Sequence, residues 1–361
     1  MRRLSEADPL LAALIRPAVM VELTEPEWET LLPRARACHL LARLAAAARA
    51  GGFSDQLPAR IQDHFAAAAI LTAHHERTIH WEINRVQRAL QDLEIPVVLL
   101  KGAAYLAAGL PSARDRLVGD VDIMVPRPAL DAVERALESA GWQPTISAPY
   151  AQRYYRTWMH EVPPLRHRDR DTIIDVHHAI LPRTARLKPD PDELWAAAQR
   201  LDGSPLYVLA PTDMVLHAAA HLFHDGDLHR SLRDLVDISD LLIHFAQRPD
   251  FWPSLAPRAA ALHLGRPLFY ALRYCRCLLY TPMPAAAVSA AARYAPPKPI
   301  VHAMDWMVPN VLLPGQAHSA ADRSGAAMLL YLRSHWLRMP PWLLIPHLAR
   351  QAFARTSQER G

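Results

Sequence analysis

Along residues 1–94 the apolar and polar positions alternate with a helical period throughout. Between Glu25 and Arg49, Leu31, Leu32, Ala35, Leu40 and Leu44 recur near helical spacing, and Thr24 stands where a cap is needed. A longer periodic stretch runs from Leu57 to Leu93 through Ile61, Phe65, Ile70, Ile79, Ile83, Val86 and Leu90, with a bend or break expected near His74-His75. Glu94-Ile95-Pro96 marks its end, because a residue before proline is pushed out of the helical region. The texture then changes. Pro96 to Lys101 is a short apolar run closed by Lys-Gly, the pattern of a buried strand.

A short helix is expected over Ala103–Leu110, a polar loop over Pro111–Arg116 and a second strand over Gly119–Val125. Arg127–Ala140 reads as an amphipathic helix with Leu130, Val133 and Leu137 on one side, ended by Gly141. Arg153–Met159, Glu161–Arg168 and Thr172–His177 read as strands, with Arg168–Asp171 as a turn. Helix returns after Pro211, over Thr212–Phe223 and Ser231–Phe245, and the Trp336–His347 end is expected to pack into the core. The expected organisation is a helical segment over 1–94, a mixed core over 95–210 and a helical region over 211–361, an α+β chain.

Composition narrows the classes. Hydrophobic residues make up 51% and charged residues 21%, too apolar for a disordered chain. With 12 glycines and 32 prolines among Ala/Leu-rich segments, a mostly β chain is excluded too. The net charge of +4 is spread along the chain, with no clustered patch of the kind nucleic-acid binding requires; anionic small substrates remain compatible. Cys38, Cys275 and Cys277 are too few for a disulfide framework, and Cys275-Arg276-Cys277 lacks the second pair of a structural zinc site. Glu6 and Asp8 interrupt the short apolar run at the start, which argues against a signal peptide. No uncharged apolar run reaches about 18 residues. The expected location is cytoplasmic.

The chemistry concentrates in Gly119-Asp120-Val121-Asp122-Ile123. Residues two apart on a strand share a face, so Asp120 and Asp122 present two carboxylates about 7 Å apart along the backbone. Two like charges on an apolar strand are costly without a cation between them, and Mg²⁺ suits carboxylates combined with phosphate oxygens. Asp175, flanked by Ile174 and Val176, supplies a third acid. If its strand lies beside Gly119–Val125, the three aspartates form a cluster able to hold two metal ions around a phosphoryl displacement.

Leu100-Lys101-Gly102, then Arg116-x-x-Gly-Asp-x-Asp, then Asp175-Val-His177 resembles the uncharacterised nucleotidyltransferase family of the polymerase-β-like superfamily. The likeness covers roughly residues 95–245, with His160-Glu161 ahead of the third aspartate and Leu216-His217 through Asp237 behind it. It implies a polymerase-β-like core with a mixed sheet and transfer of a nucleoside monophosphate from an NTP to an acceptor hydroxyl, with two Mg²⁺ ions. Asp120, Asp122 and Asp175 match the superfamily's metal-binding acids, Asp175 also serving as general base. Lys101-Gly102 stands where the superfamily usually has Gly-Ser, and 17 residues separate Gly102 from Asp120.

Lys101, Gly102 and Arg116 are the expected nucleotide contacts, Lys101 as a point charge and Arg116 through its planar fork. His177 shares the strand face of Asp175, and with His217 and His221 it is a candidate for the acceptor pocket. His217, His221, His224-Asp225 and Asp237 also follow the residue order of His-Asp metal phosphohydrolases, but a buried stripe of Leu216, Ala220 and Phe223 favours helix packing. Two further alternatives stay open: a catalytically silent nucleotide-binding or interaction module, and an antitoxin-like enzyme that modifies a protein partner. The acceptor, whether small molecule, peptide, protein or RNA, is not legible. From crowding of the acids alone, Asp122→Asn is expected to leave the melting temperature little changed or raised.

Overall fold

The computed structural model describes residues 8–146, 148–225, 228, 231–313, 320–340 and 342. Among the described residues four α-helices lead in: α1 (Pro9–Ile15), α2 (Glu25–Ala37), α3 (Leu41–Ala50) and α4 (Ala59–Leu90). Asp8 caps α1 by accepting from the Leu10 and Leu11 amides, and Thr24 with Glu27 forms a capping box on α2. The long helix α4 runs 32 residues without the break expected at His74-His75, because no glycine or proline lies inside it. Its two ends are buried through Ile61, Phe65, Ile79, Ile83, Val86 and Leu90, whereas Ile70 is exposed.

All seven strands of the described sheet fall between Val98 and Val208. They are β1 (Val98–Leu99), β2 (Asp120–Met124), β3 (Trp142–Pro144), β4 (Leu165–His167), β5 (Ile173–His177), β6 (Gln199–Arg200) and β7 (Tyr207–Val208), in spatial order β3-β4-β5-β2-β1-β7-β6. The sheet is mixed: β2 runs parallel to β5 and β1 parallel to β7, while β1–β2, β3–β4, β4–β5 and β6–β7 are antiparallel. Between the strands lie α5 (Lys101–Ala107), α6 (Leu130–Ser139), α7 (Pro149–Trp158) and α8 (Pro191–Ala197). The long helix α4 packs against β2, α5 and α6.

Two expected strands are corrected. Arg153–Met159 lies mostly in helix α7, which starts with Pro149 at its first position and carries Tyr154 and Trp158 in ring contact one turn apart. An aromatic-rich run of this length fits either period, and the tertiary structure chose the helical one. Within Glu161–Arg168 only Leu165–His167 is strand, because Pro163 and Pro164 have no amide hydrogen to donate to a ladder. Glu161 instead makes a single bridge to His177.

After β7 the described residues are mainly helical: α9 (Pro211–Asp225), α10 (Leu232–Phe245), α11 (Phe251–Ala261), α12 (Gly265–Leu278), α13 (Ala285–Ala292), α14 (Lys298–Leu312) and α15 (Ala320–Arg338). Helix α9 packs against α10, α11, α12 and α15, with Leu216, Ala220 and Phe223 buried as its stripe predicts. Arg43 of α3 holds Asp240 of α10 by a two-pronged ion pair, tying the N-terminal helices to the C-terminal ones. Buried side chains from Leu10 to Leu330 form one continuous hydrophobic cluster. Trp336 and Trp342 are exposed, contrary to the core packing expected for that end, and residues 341 and 343–347 lie outside the described residues. No described helix is long and apolar enough to cross a membrane.

Candidate active site

The register of β2 against β5 decides which acids meet. Asp120 pairs with Ile173, Asp122 with Asp175 and Met124 with His177. Opposed residues of neighbouring strands project to the same face, so Asp120, Asp122, Asp175 and His177 share one side of the sheet. Val121, Ile123, Ile174 and Val176 occupy the other side, all at most 1% exposed. Like-charged carboxylates are thus set beside one another on a strand pair that is otherwise apolar.

Strand β1 delivers the basic partner. It runs antiparallel to β2, and the Leu100 amide donates to the Asp122 carbonyl, so the turn into α5 falls beside that aspartate. Lys101 takes a left-handed backbone conformation there, with φ of 46°. Such a conformation costs a non-glycine residue about 1–2 kcal/mol, here offset by the ion pair that it makes. Lys101 Nζ donates to Asp122 Oδ1 at 2.8 Å, and His177 Nε2 lies 2.9 Å from the same oxygen. Burial alone pushes the Asp122 carboxyl up, but Lys101 and His177 outweigh it and hold it well below the usual carboxylate range.

Asp120 and Asp175 are not compensated in this way. Burial, with Asp122 adding to it, raises Asp120, and the same two causes push Asp175 up to about 7. Asp175 Oδ1 is buried with no hydrogen-bond partner. Glu161 joins the group: its Oε2 lies 3.3 Å from His177 Nδ1 and 3.9 Å from His160 Nε2. Donor atoms of His160, Glu161 and His177 all lie within 4.8 Å of one another. The three aspartates form no such compact trio among the described residues, since Asp122 is turned to Lys101 and His177.

Arg116 and Gly102 work together behind the turn. Arg116 Nε donates to Asp237 Oδ2 at 2.9 Å, with both side chains under a tenth exposed. A Cβ on Gly102 would fall inside the guanidinium of Arg116 and 2.9 Å from Val118 Cγ1. Arg116 therefore sits over Gly102, anchored to α10, and Gly102 is glycine because the guanidinium occupies the space of a side chain. Gly102→Ala is expected to lower unfolding stability by about 1–3 kcal/mol, because Arg116 is held by Asp237 and cannot move aside. Denaturant unfolding of the variant reads this directly, and an unchanged midpoint would mean that the guanidinium is free to shift.

His217 lies on the buried side of α9, within electrostatic reach of Lys101, His221, His177 and Asp122. Burial, reinforced by Lys101, holds its imidazole well below the usual range, so it is neutral. His217 thus lies near the acid cluster from the helical layer, with His221 one turn along α9 beside it. The Asp225 side chain lies outside the described residues, and no group of metal-ligand spacing is found at His217, His221 and His224 among those described. A cavity of about 850 Å³ opens beyond the C-terminal ends of β2 and β5, bordered by Arg127, His178, Arg183, Lys188, Trp195 and Tyr207; none of the three aspartates lines it.

Sequence reasoning singled out neither Glu161 nor Arg233 as site residues. Arg233 donates to the Leu117 carbonyl and lies close enough to Asp120 to lower its pKa. The adjacent His160-Glu161 was the available signal for the first; Arg233 lies within the Leu216–Asp237 stretch of the resemblance, but its place beside Asp120 depends on how α10 meets the β2 loop.

No curated protein and no solved structure matches the chain. The pattern of one family does: the uncharacterised nucleotidyltransferases, over residues 24–280. That span takes in α2 to α4, the whole sheet with its acids, and the helices to α12. The chain belongs to the uncharacterised nucleotidyltransferase family.

Proposed function

We propose that the protein is a Mg²⁺-dependent nucleotidyltransferase with a polymerase-β-like core, in which an acceptor hydroxyl attacks the α-phosphorus of an NTP, the α–β phosphoanhydride bond breaks and pyrophosphate leaves. The observation that carries the reading is the in-register pairing of Asp122 with Asp175 on parallel strands, with Asp120 on the same face. A divalent ion fits these residues: two of the three acids are raised by burial and mutual repulsion, and Asp175 Oδ1 is buried without a partner. Asp120, Asp122 and Asp175 would hold the ions. When bound, Mg²⁺ supplies neutralisation of the triphosphate charge.

The chain's own residues do the positioning. Lys101 presents an ammonium at the mouth of the acid cluster, and the Gly102 turn leaves room for Arg116 to brace it. Arg116 acts through this bracing, since its Nε is held by Asp237. Asp175 is the acid placed to accept the acceptor's hydroxyl proton, its environment favouring the protonated form. His217, neutral and buried, and His221 border the acceptor side. Catalysis of this kind rests on orientation and charge placement more than on covalent chemistry.

The test is transfer of label from each α-labelled NTP, with Mg²⁺ and cell extract, by the purified full chain. Labelled product in wild type, lost in Asp120→Asn, supports the reading; release of inorganic phosphate without label transfer overturns it. Asp175→Asn is expected to abolish transfer while raising the stability of the metal-free protein. Its carboxyl is the least compensated of the three, so removing the charge relieves repulsion by on the order of 1–2 kcal/mol after solvent screening. Thermal melting with chelator present measures that rise, and a fall would show that the Asp175 charge has a partner.

A further inference from the structure

We propose that His160, Glu161 and His177 form a site for one zinc-type divalent transition-metal ion, with Asp122 as the carboxylate that orients His177. The scaffold for it is set by backbone contacts. Residues 160–162 lie antiparallel beside the end of β5, with the Glu161–His177 bridge flanked by two hydrogen bonds. The His178 amide donates to the His160 carbonyl at 2.8 Å, and the Val162 amide donates to the Val176 carbonyl at 3.0 Å. Opposed residues of an antiparallel pair project to one side, which places Glu161 against the His177 ring. The His160 ring lies 5.3 Å from that ring.

The contacts of His177 leave one ring nitrogen turned toward Glu161. Its Nε2 lies 2.9 Å from Asp122 Oδ1, an ionised carboxylate oxygen that only accepts, so Nε2 carries a hydrogen. The other ring nitrogen is Nδ1. That nitrogen is buried, makes no hydrogen bond and faces Glu161 Oε2 at 3.3 Å. With Nε2 turned to Asp122, His177 Nδ1 and Glu161 Oε2 are the pair of donor atoms that a metal ion can bridge, and a donor atom of His160 lies within 4.8 Å of both. His177 is only 2% exposed, so water does not screen the contact.

The donor set selects the metal. Two imidazoles and one carboxylate suit zinc-type ions, whereas Mg²⁺ takes oxygen ligands. Around an ion with ligands at about 2.0–2.1 Å, tetrahedral donors lie about 3.4 Å apart. The 3.3 Å and 3.9 Å separations here close on that value with small side-chain shifts, and a fourth position stays open. A histidine that ligates through one nitrogen and donates from the other to a carboxylate is the usual outer-shell arrangement of such ions. Asp122 and His177 supply it in full.

This site shares Asp122 with the proposed Mg²⁺ cluster but takes its own ligands, and its test does not use activity. The full chain, stripped with a chelator and dialysed, is titrated with Zn²⁺ by calorimetry and with Co²⁺ by visible absorption. One equivalent of Zn²⁺ with micromolar or tighter affinity is expected, along with a Co²⁺ spectrum that Zn²⁺ displaces. Glu161→Gln keeps the shape of the side chain and should weaken Zn²⁺ binding severely. Asp122→Asn should weaken it by about 10–100-fold, the usual effect of losing an orienting carboxylate. Asp120→Asn and Asp175→Asn should leave it intact, which separates this site from the Mg²⁺ cluster. Absence of stoichiometric binding by the wild-type chain, or unchanged affinity in Glu161→Gln, overturns the proposal. A His177 imidazolium at neutral pH in the stripped protein, seen by NMR and unaffected by added Zn²⁺, overturns it equally.

Discussion

Asp122→Asn is expected to cost the protein both its activity and part of its stability. The carboxylate oxygen that accepts from Lys101 and His177 is the charge that keeps a largely buried ammonium paired. Asn preserves shape but removes the charge, leaving Lys101 without its counter-ion. Breaking a buried pair in this way costs about 3–5 kcal/mol when both members are fully enclosed. Lys101 retains 23% side-chain exposure, so about 1–3 kcal/mol is expected. The sign is opposite to that expected from crowded acids alone, and opposite to that of Asp175→Asn. Because the folded state holds the Asp122 carboxyl well below its usual range, its stabilisation is full at neutral pH, begins to decline below the usual carboxylate pKa and is lost only as pH falls on toward the depressed folded value. The gap between wild type and Asp122→Asn should therefore narrow in acid. Transfer of an α-labelled NMP should fall by at least ~10²-fold. Asp115→Asn, in the preceding loop and 3.4 Å from Arg49, is the control expected to retain transfer. Denaturant unfolding at several pH values reads the stability arm; equal stability of mutant and wild type would mean that the Lys101 pair contributes nothing.

The second large effect lies behind the site. Asp237→Ala leaves Arg116 buried with its partner gone, and Arg116→Leu leaves a carboxylate that burial already pushes up. Each single variant is expected to lose about 3–5 kcal/mol. The double variant Arg116→Leu/Asp237→Leu should recover much of that loss, since an apolar pair often matches a buried ion pair in stability. Recovered stability should not restore transfer, because the brace over Gly102 is gone. Unfolding of the three variants forms a double-mutant cycle. Losses that simply add would show that the two residues do not act as a pair.

Much of the site could be read along the chain because it depends on local rules. Asp120 and Asp122 share a face by the two-residue period of a strand, and Lys101-Gly102 closes the preceding apolar run. The capping box at Thr24 and the helix ended by Gly141 follow from the chemistry of helix termini. Local rules failed where a segment satisfied two periods, as at Pro149–Trp158, or where no breaker was present to act, as at His74-His75 in α4.

What the sequence by itself determined is the inventory: a helical chain with one β-bearing stretch, three aspartates framed by apolar strand residues, and the motif spacing of the nucleotidyltransferase family. What only the tertiary structure decided is which groups share a field. Parallel pairing set Asp122 opposite Asp175, the antiparallel turn brought Lys101 to Asp122, and α10 brought Asp237 to Arg116, 121 positions away in the chain. An isolated Asp-x-Asp has no pKa of its own to announce. Its charge state is set by burial and by partners that sequence distance does not predict, so crowded acids that look alike along the chain end with Asp122 depressed and Asp175 raised.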